Sequence, residues 1–272
     1  MLDLPATIYL NLSNILLSNK HKSRGNVAES IVSNFVLSKW NAWAPGINNI
    51  DDWLNWSNGG TVLHQDKAVV PDSVPKMLQR RLSPLAKAVF NSADKCIVTG
   101  EQIPTVFSSA HGEICKSLEM LNVIQAGDEV SPTAFSLSVH NAIAGLFSIV
   151  YANQQEITVI APGQEGIAPA FVEGLGILQE GADAVLLVLY DEPIADFYPV
   201  SPFNLNADNR CALTLRIALT GDGLPLQFSR SSMTRDDGEQ PIQLFAFLRF
   251  LLAEDNSLIL GNRGHSWRWQ KL

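Results

Sequence analysis

Between Ser131 and Asp191 the spacing of apolar positions switches repeatedly, predicting helix, strand, turn, helix and strand in succession. Ile157–Ala161 (ITVIA) is a short uncharged run, mostly β-branched, the pattern of a strand covered on both faces. Pro162 and Gly163 break it. From Ile167 to Leu178 apolar residues return at three- and four-residue spacing, so a helix opens just past the turn. AVLLVLYD, ending at Asp191, is the second buried strand. Upstream, Phe35–Trp43 reads as a strand, followed by a Pro-Gly turn and an Asp/Trp-rich loop, DDWLNW. Pro75–Ala93 is helical, with Met77, Leu78, Leu82, Leu85, Ala86 and Val89 as the buried stripe. Thr105–Ser108 is a small strand, and Glu113–Gln125 a helix carrying Ile114, Leu118, Leu121 and Val123. Downstream, Cys211–Leu219 alternates, Gly221-Asp222-Gly223 has turn chemistry, and Leu224–Phe228 is its hairpin partner. Pro241–Leu252 is a strongly apolar helix and Ser257–Trp269 a final strand segment. The sum is an α/β chain.

Two stretches fall outside this pattern. Met1–Ser30 mixes a weakly amphipathic start with a basic patch at Lys20–Arg24 and reads as a poorly ordered extension, with a docking helix as the alternative. The positive charges follow the apolar stretch, the reverse of a signal peptide. Tyr198–Asn209, rich in Pro and Asn, is the best linker candidate within the domain from Ile31 to Leu272. At 272 residues and 46% hydrophobic, the chain can bury a full core. A net charge of −8 argues against nucleic acid and against an anionic membrane surface. No run approaches the length of a membrane span. Cys96, Cys115 and Cys211 have no CxxC spacing and suit a reducing cytoplasm.

Candidate chemistry centres on the turn after ITVIA. A strand-to-helix turn aims backbone N–H groups and the positive end of the helix dipole at its tip, where a thiol would be activated. Here the tip is Gly163-Gln164-Glu165-Gly166, without a competent nucleophile. Elsewhere, His111-Gly-Glu113 echoes the H-x-E of zinc deaminases but lacks the P-C-x-x-C that completes their metal site. His111 and Cys115 could share a helix face, yet two ligands do not close a zinc site. Ser108 or Ser109 with His111 suggests a hydrolase, though no G-x-S-x-G elbow is present. His140, among Val139, Ala142, Ile143 and Leu146, reads as a buried structural histidine in a helix. No residue pattern calls for a cofactor or metal.

SPTAFSLSVHNAIAG, ITVIAPGQEG, AVLLVLYDEP, WNAWAPGINNIDDWLNW, SSAHGE and WRWQ together resemble the N-terminal half of a β-ketoacyl synthase. They are most similar to the short chain-length-factor-like subunits of bacterial aryl polyene and type II polyketide pathways. The resemblance spans Ile31 to the C-terminus and implies a thiolase-like half-fold, a mixed sheet covered by helices. In a condensing enzyme the strand reads like VTVDTAC, and its acyl-accepting Cys falls on Gly163 here. The family's two histidines follow the nucleophile, whereas only His265, in GHSWRW, follows Gly163. Decarboxylative condensation needs the thiolate and both histidines, so the resemblance implies a non-catalytic subunit. Family members pair through the strand before the nucleophile, which assigns Glu156, Ile157, Thr158, Val159 and Ile160 to a ketosynthase partner's interface. Acyl carrier protein would reach this chain through that heterodimer. The family's tunnel-closing positions match Thr133, Ala134 and Phe135, for which helix-entry packing is the plainer role. The alternative is an independent acyl-thioester enzyme. It would be a malonyl decarboxylase, with Gln164 in the nucleophile's place after a one-residue shift, or a hydrolase using Ser109 and His111.

Overall fold

Val185–Asp191 and Cys211–Ala218, strands buried at nearly every position, lie in the middle of the sheet, where both faces are covered. The computed structural model describes residues 32–47, 49–59, 70–162, 166–194, 210–238, 240–262 and 264–272. The Met1–Ser30 extension, the Tyr198–Asn209 linker candidate and Gly163, Gln164 and Glu165 lie outside the described residues. The strands are β1 (Val32–Trp43), β2 (Thr105–Ser108), β3 (Ile157–Ile160), β4 (Val185–Asp191), β5 (Cys211–Ala218), β6 (Leu224–Ser231), β7 (Ser257–Asn262) and β8 (His265–Lys271). The helices are α1 (Ile50–Ser57), α2 (Lys76–Gln79), α3 (Pro84–Ala93), α4 (Ile114–Gln125), α5 (Pro132–Ser136), α6 (Ala142–Tyr151), α7 (Ala168–Gln179) and α8 (Gln240–Leu252). Among the described residues the strands form one sheet in the order β3-β2-β4-β5-β1-β6-β8-β7. β2 is parallel to β3 and β4, and every other pair is antiparallel, so the sheet is mixed.

Alternation along β4 divides the core. Val185, Leu187 and Leu189 face a cluster with Phe171 and Leu175 of α7 and Leu244 and Phe247 of α8. Leu186, Val188 and Tyr190 face the opposite cluster, with Val89 and Phe90 of α3 and Phe147 and Tyr151 of α6. A strand packed on both faces reads as a continuous apolar run, as here. The thiolase-like half-fold, a mixed sheet with helices, is the architecture observed.

Several local expectations need correction. DDWLNW is not a loop but most of α1: Asn49 and Asp52 form a capping box, and Trp53 buries itself beside Trp56, which meets Phe245 of α8 at 5.6 Å. Pro75–Ala93 is not one helix. Pro84 forces Ser83 into extended backbone, and the Ser83 hydroxyl caps α3 from there. Met77, assigned to the buried stripe, is 80% exposed. α4 forms as expected but buries no residue fully, leaving Leu121 and Val123 at the surface. His140 sits in the turn before α6, half-buried, rather than within the helix.

The tail of the sheet differs most. β5 and β6 do not form a hairpin; β1 runs between them, antiparallel to both. The chain leaves β5, crosses β1 at the bulge between Leu37 and Lys39, and continues along its other side as β6. Gly223, at φ 144°, makes the crossing possible, because a Cβ there would strike the Leu37 carbonyl. Ser257–Trp269 is likewise two strands, β7 and β8, paired antiparallel. Finally, β3 is an edge strand. Ile157 and Val159 pack towards one core cluster and Ile160 towards the other, yet all four of its residues remain half-buried because one edge is open.

Candidate functional site

Three parallel strands, β2, β3 and β4, end on the same side of the sheet, the usual location for sites in open α/β sheets. Asp191 closes β4 and is fully buried. Its carboxylate accepts the Ser109 hydroxyl at 2.7 Å, the Ala110 N–H at 2.9 Å and the His111 N–H at 3.3 Å. Burial raises the Asp191 carboxyl to about 6, although the Ala110 N–H, the Ser109 hydroxyl and His111 all favour its charged form. The Gly112 N–H then donates to the Ser109 hydroxyl at 2.7 Å, and the His140 Nε2 lies 2.9 Å from the Ser109 carbonyl. SSAHGE is thus a turn locked from below by Asp191 and from the side by His140.

The locked turn leads into Glu113, which is 3% exposed. Its Oε1 accepts the Ser83 hydroxyl at 2.6 Å, so the cap of α3 is tied to the start of α4. Burial raises the Glu113 carboxyl to about 7, opposed by the Ser83 hydrogen bond and reinforced by the charge of Glu192. Glu192 itself pairs with Arg210 at 2.7 Å.

On the β3 side, Pro162 is buried and Gly166 turns the chain into α7 at φ 68°. The Gln243 side chain of α8 lies against Gly166 so closely that a Cβ would overlap its amide. Gln243 accepts the Ile167 N–H at 3.1 Å and donates to the Gly238 carbonyl at 2.9 Å. One N–H at the start of α7 is therefore satisfied by α8 rather than directed at a ligand. Gly163, which the sequence resemblance sets against the family nucleophile, lies outside the described residues.

The structure brings Ser109, His111, Glu113, His140 and Asp191 to one end of the sheet. It does not bring His265, which is exposed on β8 at the far side of the sheet from β3. Ser109 is fully buried and its hydroxyl donates to Asp191, so in this structure it serves to hold the turn. Cys115, half-buried, has its sulfur 3.8 Å from the Pro193 carbonyl. Among the described residues, no group of three His, Cys, Asp or Glu side chains could hold a metal ion. No helix there is long and apolar enough to cross a membrane.

Glu156–Ile160 and Thr133–Phe135 occupy different elements. Among the described residues β3 bonds only to β2; the Thr105 N–H donates to the Glu156 carbonyl and the Ser109 N–H to the Ile160 carbonyl. In a parallel ladder alternate residues point the same way, so the N–H and C=O of Ile157 and Val159 face the open edge. Thr133, Ala134 and Phe135 all lie exposed on α5. Thr133 and Ala134 line a groove of about 530 Å³ against α4, whereas Phe135 is outside its wall and 56% exposed. Two buried polar contacts at this end of the sheet were not assigned from sequence. Asp191 is the only charge in AVLLVLYD, and Gln243 a polar residue in an apolar helix; both are signals of a buried polar contact.

Three solved assemblies contain chains with this architecture. One chain of the ketosynthase (ApeO) in complex with its chain length factor (ApeC) from Xenorhabdus doucetiae is 22% identical, with a TM-score of 0.73 over 87% of this chain and 99% of that one. A chain of the ishigamide ketosynthase/chain length factor is 11% identical, with a TM-score of 0.61 over 88% and 99% of the two chains. A chain of AntDE:AntF, a type II polyketide synthase acyl-carrier protein in complex with its ketosynthase, is 11% identical at a TM-score of 0.55, again over 88% and 99%. At these identities the likeness is one of fold. No curated protein matches the chain in sequence. The family model for the β-ketoacyl synthase N-terminal domain matches residues 53–270, from the Trp53 helix through the locked turn to the last strand. With that match over most of its length and the mixed sheet beneath it, the chain belongs to the β-ketoacyl synthase N-terminal domain family.

Proposed function

We propose that this chain is a catalytically inactive, chain-length-factor-like subunit that pairs with an active ketosynthase and shapes its acyl tunnel. The pathway class is aryl polyene, polyketide or fatty acid-type assembly in the cytoplasm, and acyl carrier protein engages the complex rather than this chain alone. The observation that carries the reading is the open edge of β3. Among the described residues, Ile157 and Val159 present unpaired N–H and C=O groups there, a template that a second strand completes. α6, which leads into β3, leaves Ile149 67% exposed, and Leu121, Ile124, Phe135 and Val139 add further surface apolar side chains. Inactivity is supported by Gly163 at the nucleophile position and by thiols elsewhere that burial holds protonated. Thr133, Ala134 and Phe135 are the residues assigned to the partner's tunnel wall.

Val159→Pro tests the interface. The outward N–H of Val159 is not part of the β2 ladder, so proline removes an edge donor without removing a bond within the subunit. The variant should keep its circular dichroism spectrum yet lose co-elution with the ketosynthase, with affinity reduced roughly tenfold or more. Undiminished pairing by a folded Val159→Pro chain would remove β3 from the interface.

A further inference from the structure

The groove beside α5 differs in charge from the chain that carries it. Its apolar lining comes from Met120 and Val123 of α4, Ala134 of α5 and Leu137 just beyond. Arg80 and Arg81, exposed in the turn between α2 and α3, also line it. Neither guanidinium has a carboxylate or hydrogen-bond partner among the described residues. Lys116 and Glu119 pair with each other at 2.7 Å, and Glu129 is the remaining carboxylate of the lining. Two unpaired arginines against one carboxylate leave the groove positive on a chain of net charge −8. A second groove, of about 500 Å³, shares Arg81, Thr133 and Leu137, so the apolar surface continues around α5.

We propose that this groove binds a linear amphiphilic anion: an alkyl chain along the apolar lining, with a terminal carboxylate or phosphate on Arg80 and Arg81. The volume of about 530 Å³ lies within the range of small-molecule sites. The planar guanidinium fork matches both anion types in bidentate geometry. A purely polar anion would leave the apolar lining wet, and a neutral apolar ligand would gain nothing from the arginines. Thr133 and Ala134, assigned above to the partner's tunnel wall, also line this groove, so the proposal deepens that reading by naming a ligand that this chain holds by itself.

Isothermal titration of the full chain, without a ketosynthase and at a concentration where light scattering shows it monomeric, tests the proposal with dodecanoate, dodecyl phosphate and neutral dodecanamide below their aggregation limits. One or both anions should bind one-to-one. The amide should bind roughly tenfold more weakly or worse, as should the better anion to the Arg80→Ala/Arg81→Ala variant. Ala134→Trp, which fills the groove without touching the arginines, should abolish binding. Preference for the carboxylate points to a free acid as the natural ligand, and preference for the phosphate to a phosphate monoester. Failure of both anions to bind overturns the proposal, as does binding that neither variant weakens. Capture of an acidic amphipathic peptide in place of the alkyl anions would also overturn it. Because no ketosynthase is present, the outcome does not depend on whether the chain forms a heterodimer.

Discussion

Burial raises the Glu113 carboxyl from 4.5 to about 7, so folding favours its protonated form. A group with a raised folded value stabilises fully below its unfolded value, and that stability is lost as pH rises through the folded value. For Glu113 the window runs from 4.5 to about 7, and the loss amounts to about 3 kcal/mol at most. Asp191 is raised as well and acts in the same direction. Urea melts should therefore show a more stable chain at pH 5 than at pH 8. Glu113→Gln, whose amide oxygen can still accept the Ser83 hydroxyl, should flatten the dependence and be the more stable form at pH 8. An equally steep profile in the variant would show that other groups carry it. The cysteines give a second test at this scale. Burial pushes Cys96 and Cys115 up to about 12 and Cys211 higher still, leaving roughly one thiolate in ten thousand at pH 8 for the first two. The native chain should take no acyl label from an acyl carrier protein and should resist thiol reagents, whereas the unfolded chain labels at all three positions. A stable acyl adduct on any of them in the native chain would reveal a nucleophile in the wrong place for the proposed role.

α5 matters at the scale of elements because its side chains diverge. Thr133 and Ala134 line the groove against α4, while Phe135 is outside that wall. If the three residues close the partner's tunnel, side-chain volume there limits the acyl chain. Each methylene pressed against a closed wall meets overpacking of about 1–3 kcal/mol, and an opened wall offers burial of about 0.8 kcal/mol per CH₂. Phe135→Ala should then shift heterodimer products towards longer chains and Ala134→Phe towards shorter ones, by mass spectrometry of the carrier-bound products. The first condensation on a short primer should keep its rate, because the nucleophile belongs to the ketosynthase. Product profiles unchanged by both variants in an intact complex would reduce α5 to a packing element.

For the whole molecule, the open β3 edge and the apolar side chains of α4, α5 and α6 are surfaces that water disfavours. Obligate interfaces bury on the order of 2,000–5,000 Å², far more than β3 alone presents. The isolated chain should self-associate in light scattering and become monodisperse when co-expressed with its ketosynthase. A stable, soluble monomer indifferent to every ketosynthase offered would sink the subunit reading.

Local pattern determined much of this protein. ITVIA and AVLLVLYD read as strands because they are short apolar runs bounded by turn residues, and Ile167–Leu178 as a helix because its apolar positions recur at helical spacing. The family motifs then carried the half-fold. Tertiary structure decided the rest, for reasons that reside in no single segment. β3 is an edge because nothing else in the described sheet lies beyond it, a fact of strand order that its own residues do not record. β5 and β6 look like a hairpin, yet β1, from far upstream, occupies the space between them and Gly223 lets the chain cross it. Asp191 and Gln243 acquire their roles only when β2 and α7 are brought beside them, since a buried polar group finds its partners through packing and not through sequence distance.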